Sequence, residues 1–310
     1  MWVNSSSKQR VIVSKSTKMP TVSASLQTLL SRIQPLPSEV AAGESHLASI
    51  KARLASAYDL KKFFTAGSFS RDTSIRGKSD VDVFAVVAVS DVKWGDNFKS
   101  SNTVLDGFKS ELENRFWGST VYRDGPAVVV EFSDAKVDVV PAFYNGTTTN
   151  NWPCYGIPDG VGGWMNTSPT LHNYWLKERN DECGGKLRGT AQLLKFWREC
   201  RNPRIPLSSF HIEILLAQEG ICKGVKSYAQ CVTEVLQGLA ARECRAISDP
   251  LGVSGRIPAV KSEAQRETSL ASVRYSRDHA KAALAADANY DTSEALRQWD
   301  IVFNNQLPWV

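Results

Sequence analysis

The 310-residue sequence lacks any apolar run near the roughly 18 residues of a membrane-spanning helix, so no segment is expected to cross a bilayer. Its six cysteines (Cys154, Cys183, Cys200, Cys222, Cys231, Cys244) form no C-x-x-C pair and have no histidine pair nearby, which excludes a zinc ribbon or a dithiol redox motif. No secretory signal is read, so these thiols are expected to be reduced in a cytoplasmic setting. Acidic residues are missing from the first 38 positions, the first being Glu39. Five of the 37 basic residues (Lys8, Arg10, Lys15, Lys18, Arg32) lie in that stretch, so the net charge of +5 belongs to it and the body is neutral. A body-wide basic footprint for nucleic acid is therefore absent. Internal repeats are absent too.

What is present belongs to a folded chain. An apolar content of 42% with 22% charged residues is too apolar and too balanced for disorder. The length allows one large domain or two lobes with real cores. Residues 1–23 are expected to be a basic flexible arm rather than a transit peptide. Helical spacing marks 24–34 (Leu26, Leu29, Leu30, Ile33), closed by Pro35 and Pro37, and a second helix from about Pro37 to Phe64 (Leu47, Ile50, Leu54, Tyr58, Leu60). A loop from Gly67 to Lys78 leads into the β-branched run 81–87, a strand apolar enough to be buried on both faces. A helix follows at 102–117. Then comes a hairpin whose arms are Ala127–Phe132 and Lys136–Pro141. Residues 145–170 predict a long irregular connection, and from about His172 onward the chain reads as helix, broken near 203–206 and 250–258. This order predicts an α+β lobe followed by an α-helical lobe.

The chemistry concentrates in Gly67-Ser68-Phe69-Ser70-Arg71-Asp72-Thr73-Ser74-Ile75-Arg76-Gly77-Lys78-Ser79-Asp80-Val81-Asp82. Asp80 and Asp82 are two apart at a strand start, so both carboxylates share one face and repel each other unless a cation lies between them. A hard divalent ion suits carboxylates, and Mg²⁺ also chelates polyphosphates. Asp138, on the second hairpin strand, can add a third acid from the adjacent strand, with Glu131 as its rival. Three acids can hold two ions about 4 Å apart, the arrangement that clamps attacking and leaving oxygens in phosphoryl transfer. Gly67 and Ser68 open a loop whose backbone N–H groups and hydroxyl can cradle phosphate.

Taken together these residues resemble the polymerase-β-like nucleotidyltransferases, and within them the bacterial cGAS-like (CD-NTase) enzymes related to cGAS and oligoadenylate synthetase. The family pattern G-S-x-x-R-x-T-x-I-x-x-x-S-D-x-D is matched by Gly67, Ser68, Arg71, Thr73, Ile75, Ser79, Asp80 and Asp82, and h-D-h-h-P by Val137 to Pro141. Trp164 with Thr167-Ser168-Pro169 is similar to the family's T-x-P junction, and Leu193 to Trp197 to its helix bearing a triphosphate-binding lysine. Ser208-Ser209-Phe210-His211 is similar to S-S-Y-H, and Trp299 to Phe303 with Pro308 to the closing W-x-x-h-F…P.

The resemblance implies a polymerase-β-like core of mixed sheet and helices over 24–165, an α-helical lobe over 166–310, and an active site in the cleft between them. It implies catalytic and metal-binding roles for Asp80, Asp82 and Asp138 with two Mg²⁺ (or Mn²⁺) ions. Nucleotide binding would fall to Gly67, Ser68, Lys195, Ser209, Phe210 and Ser168, with Lys195 on the triphosphate and Phe210 and Ser168 toward the bases. Arg71 and Thr73 read equally as loop scaffolding or phosphate contacts, and the cysteines, His46 and His279 as structural. Ser168 stands where pyrimidine-using relatives often carry Asn, which implies purine substrates, ATP and GTP.

The implied activity is condensation of nucleoside triphosphates into a cyclic di- or trinucleotide messenger in bacterial anti-phage signalling, acting through a downstream effector. Two alternatives stand beside it: a template-free nucleotidyltransferase making linear products or modifying RNA or a small molecule, and a catalytically inactive nucleotide or nucleic-acid sensor. The His-Cys-Cys-Cys zinc thumb of cyclic GMP-AMP synthase is missing, so direct activation by DNA is not expected.

Overall fold

Hydrophobic alternation along one strand organises the first half of the molecule. The computed structural model describes residues 20–77 and 80–309, so the basic arm up to residue 19, and Lys78 and Ser79, lie outside the described residues. The first half of the chain contains α1 (Val22–Arg32), α2 (Pro37–Ala57), β1 (Leu60–Thr65), α3 (Gly67–Ser70), β2 (Val81–Val87), β3 (Lys93–Trp94), β4 (Asn97–Phe98), α4 (Ser101–Arg115), β5 (Thr120–Asp124), β6 (Ala127–Glu131), β7 (Lys136–Thr147), β8 (Pro153–Pro158) and β9 (Trp164–Thr167). The second half contains α5 (Pro169–Glu182), α6 (Lys186–Glu199), α7 (Ser209–Gln218), α8 (Tyr228–Ala241), β10 (Ile247–Ser248), β11 (Arg256–Ile257), α9 (Glu263–Ala288) and α10 (Thr292–Val302).

The main sheet has seven strands, ordered β1-β2-β7-β6-β5, with β8 added to β7 and β9 to β8. Among the described residues only β2 and β7 run parallel, and the other pairings of this sheet are antiparallel. Because side chains alternate along a strand, Val81, Val83, Ala85 and Val87 pack with Ile50, Leu54, Leu105 and Phe108 under α2 and α4. Phe84 and Val86 join Val140, Ala142, Tyr155 and Ile157 on the opposite face. Asp82 and Asp138 share the parity of that second face, turned away from α2 and α4.

The helical half has its own core, built around Trp197, Trp299 and Phe303. The first helix, expected in the nucleotidyltransferase lobe, buries Val22, Leu26, Leu29 and Ile33 in this helical core instead. Its stripe of apolar side chains meets α6, α8 and α10.

Several strands contradict the sequence reading. The second helix ends at Ala57, and Leu60–Thr65 pairs with β2 although Tyr58 and Leu60 continue the helical period. The segment expected to be irregular holds β8 and β9; β8 pairs with both β7 and β9, and its two prolines, Pro153 and Pro158, stand at its first and last positions. β5 completes an antiparallel pair with β6. Among the described residues no helix is long and apolar enough to cross a membrane. All six cysteines are free thiols.

Candidate active site

The parallel pairing of β2 with β7 sets Asp82 directly opposite Asp138, and Asp80 immediately precedes β2. The loop that lies over them is held by the amide of Ala66, which donates to the Asp82 carbonyl at 2.9 Å. Gly67 is required twice over at this point. Its φ is +61°, and a Cβ there would sit 1.8 Å from Asp82 Oδ2. The loop thus rests on the Asp82 carboxylate, which only a residue without a side chain permits.

Burial sets the electrostatics. Burial pushes the Asp82 carboxyl above the usual carboxylate range, against the pull of Arg71 and Lys195. Asp138 is pushed up to about 7, first by burial and then by the neighbouring charges of Asp80 and Asp82. Its Oδ1 is buried without a hydrogen-bond partner. A buried oxygen left unpaired is costly, and beside a second carboxylate it is suited to a hard cation. Asp80 is turned to Lys136, whose Nζ lies 3.1 Å away. Among the described residues, no three His, Cys, Asp or Glu side chains form a ready metal cage. The fit to a divalent ion therefore rests on the Asp82–Asp138 pair, with Asp80 alongside but engaged by Lys136.

A polar cavity of about 120 Å³ opens beside the acids, lined by Ser68, Ile75, Asp80, Asp82, Lys195, Arg198, Glu199, Arg204 and Ser209. It joins through Asp80, Glu199 and Arg204 to a wider cleft of about 880 Å³ that both halves of the molecule line. Lys195 is 7% exposed, and its ammonium lies 3.6 Å from Glu213. Burial holds its pKa below the usual lysine value, with Glu213 opposing that fall. Arg198 sits three residues further along the same face of α6. It gives Nη2 to Glu199 at 2.6 Å while its buried Nε has no partner. Two buried cations at a cavity that also offers two serine hydroxyls match a polyphosphate.

Some of the anticipated residues meet here and others do not. Asp80, Asp82, Ser68, Lys195 and Ser209 line one cavity. Phe210 is half-buried against the helical core, with the Arg71 guanidinium 5.5 Å from its ring centroid and His172 edge-on at 5.5 Å. Ser168 is fully buried and donates to the Pro153 carbonyl at 2.7 Å, so its hydroxyl joins β8 to the start of α5. Glu131 accepts from the Tyr122 hydroxyl at 2.7 Å, and the residue opposite Asp138 on β6 is Val129. Arg71 is scaffolding: it is bonded to Glu213 and Asn173, at 2.6 and 3.0 Å. Ser79 lies outside the described residues.

The sequence reading missed Arg198, Glu199, Arg204 and Glu213. Arg198 had a signal, its i, i+3 spacing from Lys195. Glu213 had another, a lone acid in the apolar run Ile212 to Ala217.

Comparison with known proteins places this geometry. Residues 19–180 match the model of the Second Messenger Oligonucleotide or Dinucleotide Synthetase domain. A cyclic AMP-AMP-AMP synthase of Escherichia coli is 27% identical over 169 residues, covering 52% of this chain and 50% of that protein. The CBASS oligonucleotide cyclase CdnC of Escherichia coli is 28% identical over 176 residues, covering 51% and 50%. The chain thus matches about half the length of these curated relatives. In fold it is similar to the solved structure of Escherichia coli CdnC with ATP (TM-score 0.70, 18% identity, 92% of this chain and 98% of that one). It is also similar to Vibrio cholerae DncV in its apo form (TM-score 0.68, 14% identity, 90% and 93%).

Proposed function

Because the chain belongs to the Second Messenger Oligonucleotide or Dinucleotide Synthetase family of bacterial cGAS-like nucleotidyltransferases, we propose that it condenses nucleoside triphosphates into a cyclic oligonucleotide messenger, releasing pyrophosphate at each bond. The observation that carries this reading is the in-register Asp82–Asp138 pair beside a cavity gathering Ser68, Ser209, Lys195 and Arg198. The lobes act as a nucleotidyltransferase half and a helical half, with the reaction in the cleft between them.

Each residue then has a task. Ser68 and Ser209 donate hydroxyl hydrogen bonds to the donor's phosphate oxygens, and Lys195 and Arg198 balance their charge. Asp138 would help to withdraw the proton of the attacking hydroxyl. Phe210 offers an aromatic surface to the donor base. Asp80, Asp82 and Asp138 would hold divalent ions, Mg²⁺ or Mn²⁺, two in number. Such ions supply Lewis-acid stabilisation of charge on the reacting oxygens. Keeping three acids together would be a steady cost to an inactive sensor, which disfavours that alternative. The setting we propose is cytoplasmic anti-phage signalling of the kind that the name of the CBASS relative indicates, through an effector that binds the product, without direct activation by DNA.

The test is incubation with each labelled nucleoside triphosphate, singly and in combination, with Mg²⁺ or Mn²⁺. Pyrophosphate release with a phosphatase-resistant product is the expected result, lost in the Asp80→Asn/Asp82→Asn variant. Long, linear, primer-dependent products would replace messenger synthesis with polymer tailing.

A further inference from the structure

Glu213 is 1% exposed on α7, a helix whose neighbouring residues Ile212, Ile214, Leu215 and Leu216 are all buried in the helical core. It does not line the phosphate cavity. Both of its oxygens are nevertheless used. Oε2 accepts from Arg71 Nε at 2.6 Å, while Oε1 accepts from Thr73 Oγ1 at 2.9 Å and lies 3.6 Å from Lys195 Nζ. Arg71 and Thr73 follow Ser68 on the nucleotidyltransferase side, and Lys195 belongs to α6 on the helical side. One carboxylate therefore ties the Gly-Ser loop to the lysine that faces it across the cavity.

The rest of the cluster strengthens that tie. Arg71 Nη1 donates to Asn173 Oδ1 at 3.0 Å, and Asn173 Nδ2 donates to Ser70 Oγ at 2.9 Å, so α5 grips the same loop. The side chains of Arg71, Lys195 and Glu213 are 10%, 9% and 2% exposed. Charges this deeply buried cannot exchange their partners for water without a large penalty. Removing the carboxylate would leave Lys195 without this counter-charge and Arg71 with only the neutral Asn173 amide on the helical side.

We propose that Glu213 is a positioning residue that locks the Gly67–Thr73 loop and Lys195 into one phosphate-binding arrangement across the junction of the two halves. It acts through Arg71, Thr73 and Lys195 and touches no substrate. The proposal rests on reading the cavity as a triphosphate site. Carboxylate reach matters here as much as charge, because a side chain one methylene shorter cannot serve Arg71, Thr73 and Lys195 at once.

The experiment measures binding of a non-hydrolysable ATP analogue with Mg²⁺ by calorimetry, for wild type, Glu213→Gln, Glu213→Asp, Lys195→Ala and the Glu213→Gln/Lys195→Ala double variant. Thermal unfolding of each, and of Arg71→Gln alone and combined with Glu213→Gln, runs in parallel. Both Glu213 variants should bind about tenfold or more weaker while remaining folded, and the fold-loss of the double variant should be smaller than the product of the two single fold-losses, because part of the Glu213 effect runs through Lys195 and part through the loop. Wild-type affinity in Glu213→Asp would show that charge alone suffices, and wild-type or tighter affinity in Glu213→Gln would show mere neutralisation; either overturns the proposal. If wild type binds no triphosphate, the proposed function fails on its own. The clasp is then judged by the Arg71–Glu213 stability cycle, where non-additive losses support it and additive losses overturn it.

Discussion

Asp138 shows how much a single side chain depends on what surrounds it. Its carboxyl sits near 7 in the folded protein, against 3.8 for an ordinary aspartate, chiefly because it is buried. An acid raised in this way costs nothing well below 3.8, where both folded and unfolded chains hold the proton. As pH rises from there toward 7 the unfolded chain loses the proton first, so the folded state loses stability across that window. With divalent ions chelated, Asp138→Asn should therefore melt higher than wild type at pH 8, and the difference should shrink steadily as pH falls toward 3.8. The gain reads as about 2–4 °C per kcal/mol for chains of 150–250 residues. Equal melting temperatures at pH 8 would mean that the carboxylate is not strained when ionised. Gly67 makes the complementary point, since its place against Asp82 is dictated by space and by its positive φ together.

Among the elements, α1 has the least expected position. Sequence order puts it before the sheet, yet its apolar stripe completes the core of the helical half. Leu26, 1% exposed, is the centre of that contact. Leu26→Ala should destabilise the protein by roughly 2–5 kcal/mol, the usual cost of emptying a buried leucine site, measured as a fall in denaturant midpoint. A loss well under 1 kcal/mol would mean that α1 is only loosely docked. The β2–β7 pair is the other decisive element. A parallel register one residue out would put Asp138 on the opposite face from Asp82.

For the whole molecule, the consequence of carboxylates and the cations Lys195 and Arg198 lining one cavity is that divalent ions and polyphosphate should stabilise it together. Adding Mg²⁺ with a non-hydrolysable triphosphate should raise the melting temperature of wild type, by linkage to the folded state. The Asp80→Asn/Asp82→Asn variant should melt at or above the metal-free wild type and gain little from Mg²⁺. An equal Mg²⁺-dependent rise in that variant would move the metal site elsewhere. The two halves meet through buried charged groups, Arg71, Lys195 and Glu213, so the cleft is held by directional bonds as well as by packing.

Much of the local structure was legible in the residues: the loop at Gly67 and Ser68, the D-x-D strand, the hairpin carrying Asp138 and the helical spacing around Lys195 rest on alternation, helical period and turn composition, rules that operate within a few residues. The phosphate role expected of Lys195 came from the family resemblance alone. Strands β1, β8 and β9 were not legible, because pairing with distant strands outweighs a borderline local pattern. The burial of Ser168, the docking of α1 and the contacts of Glu213 likewise emerge only in three dimensions. A glutamate in an apolar helix reads as an anomaly until the fold brings Arg71 and Thr73, some 140 residues earlier in the chain, within hydrogen-bonding distance of it.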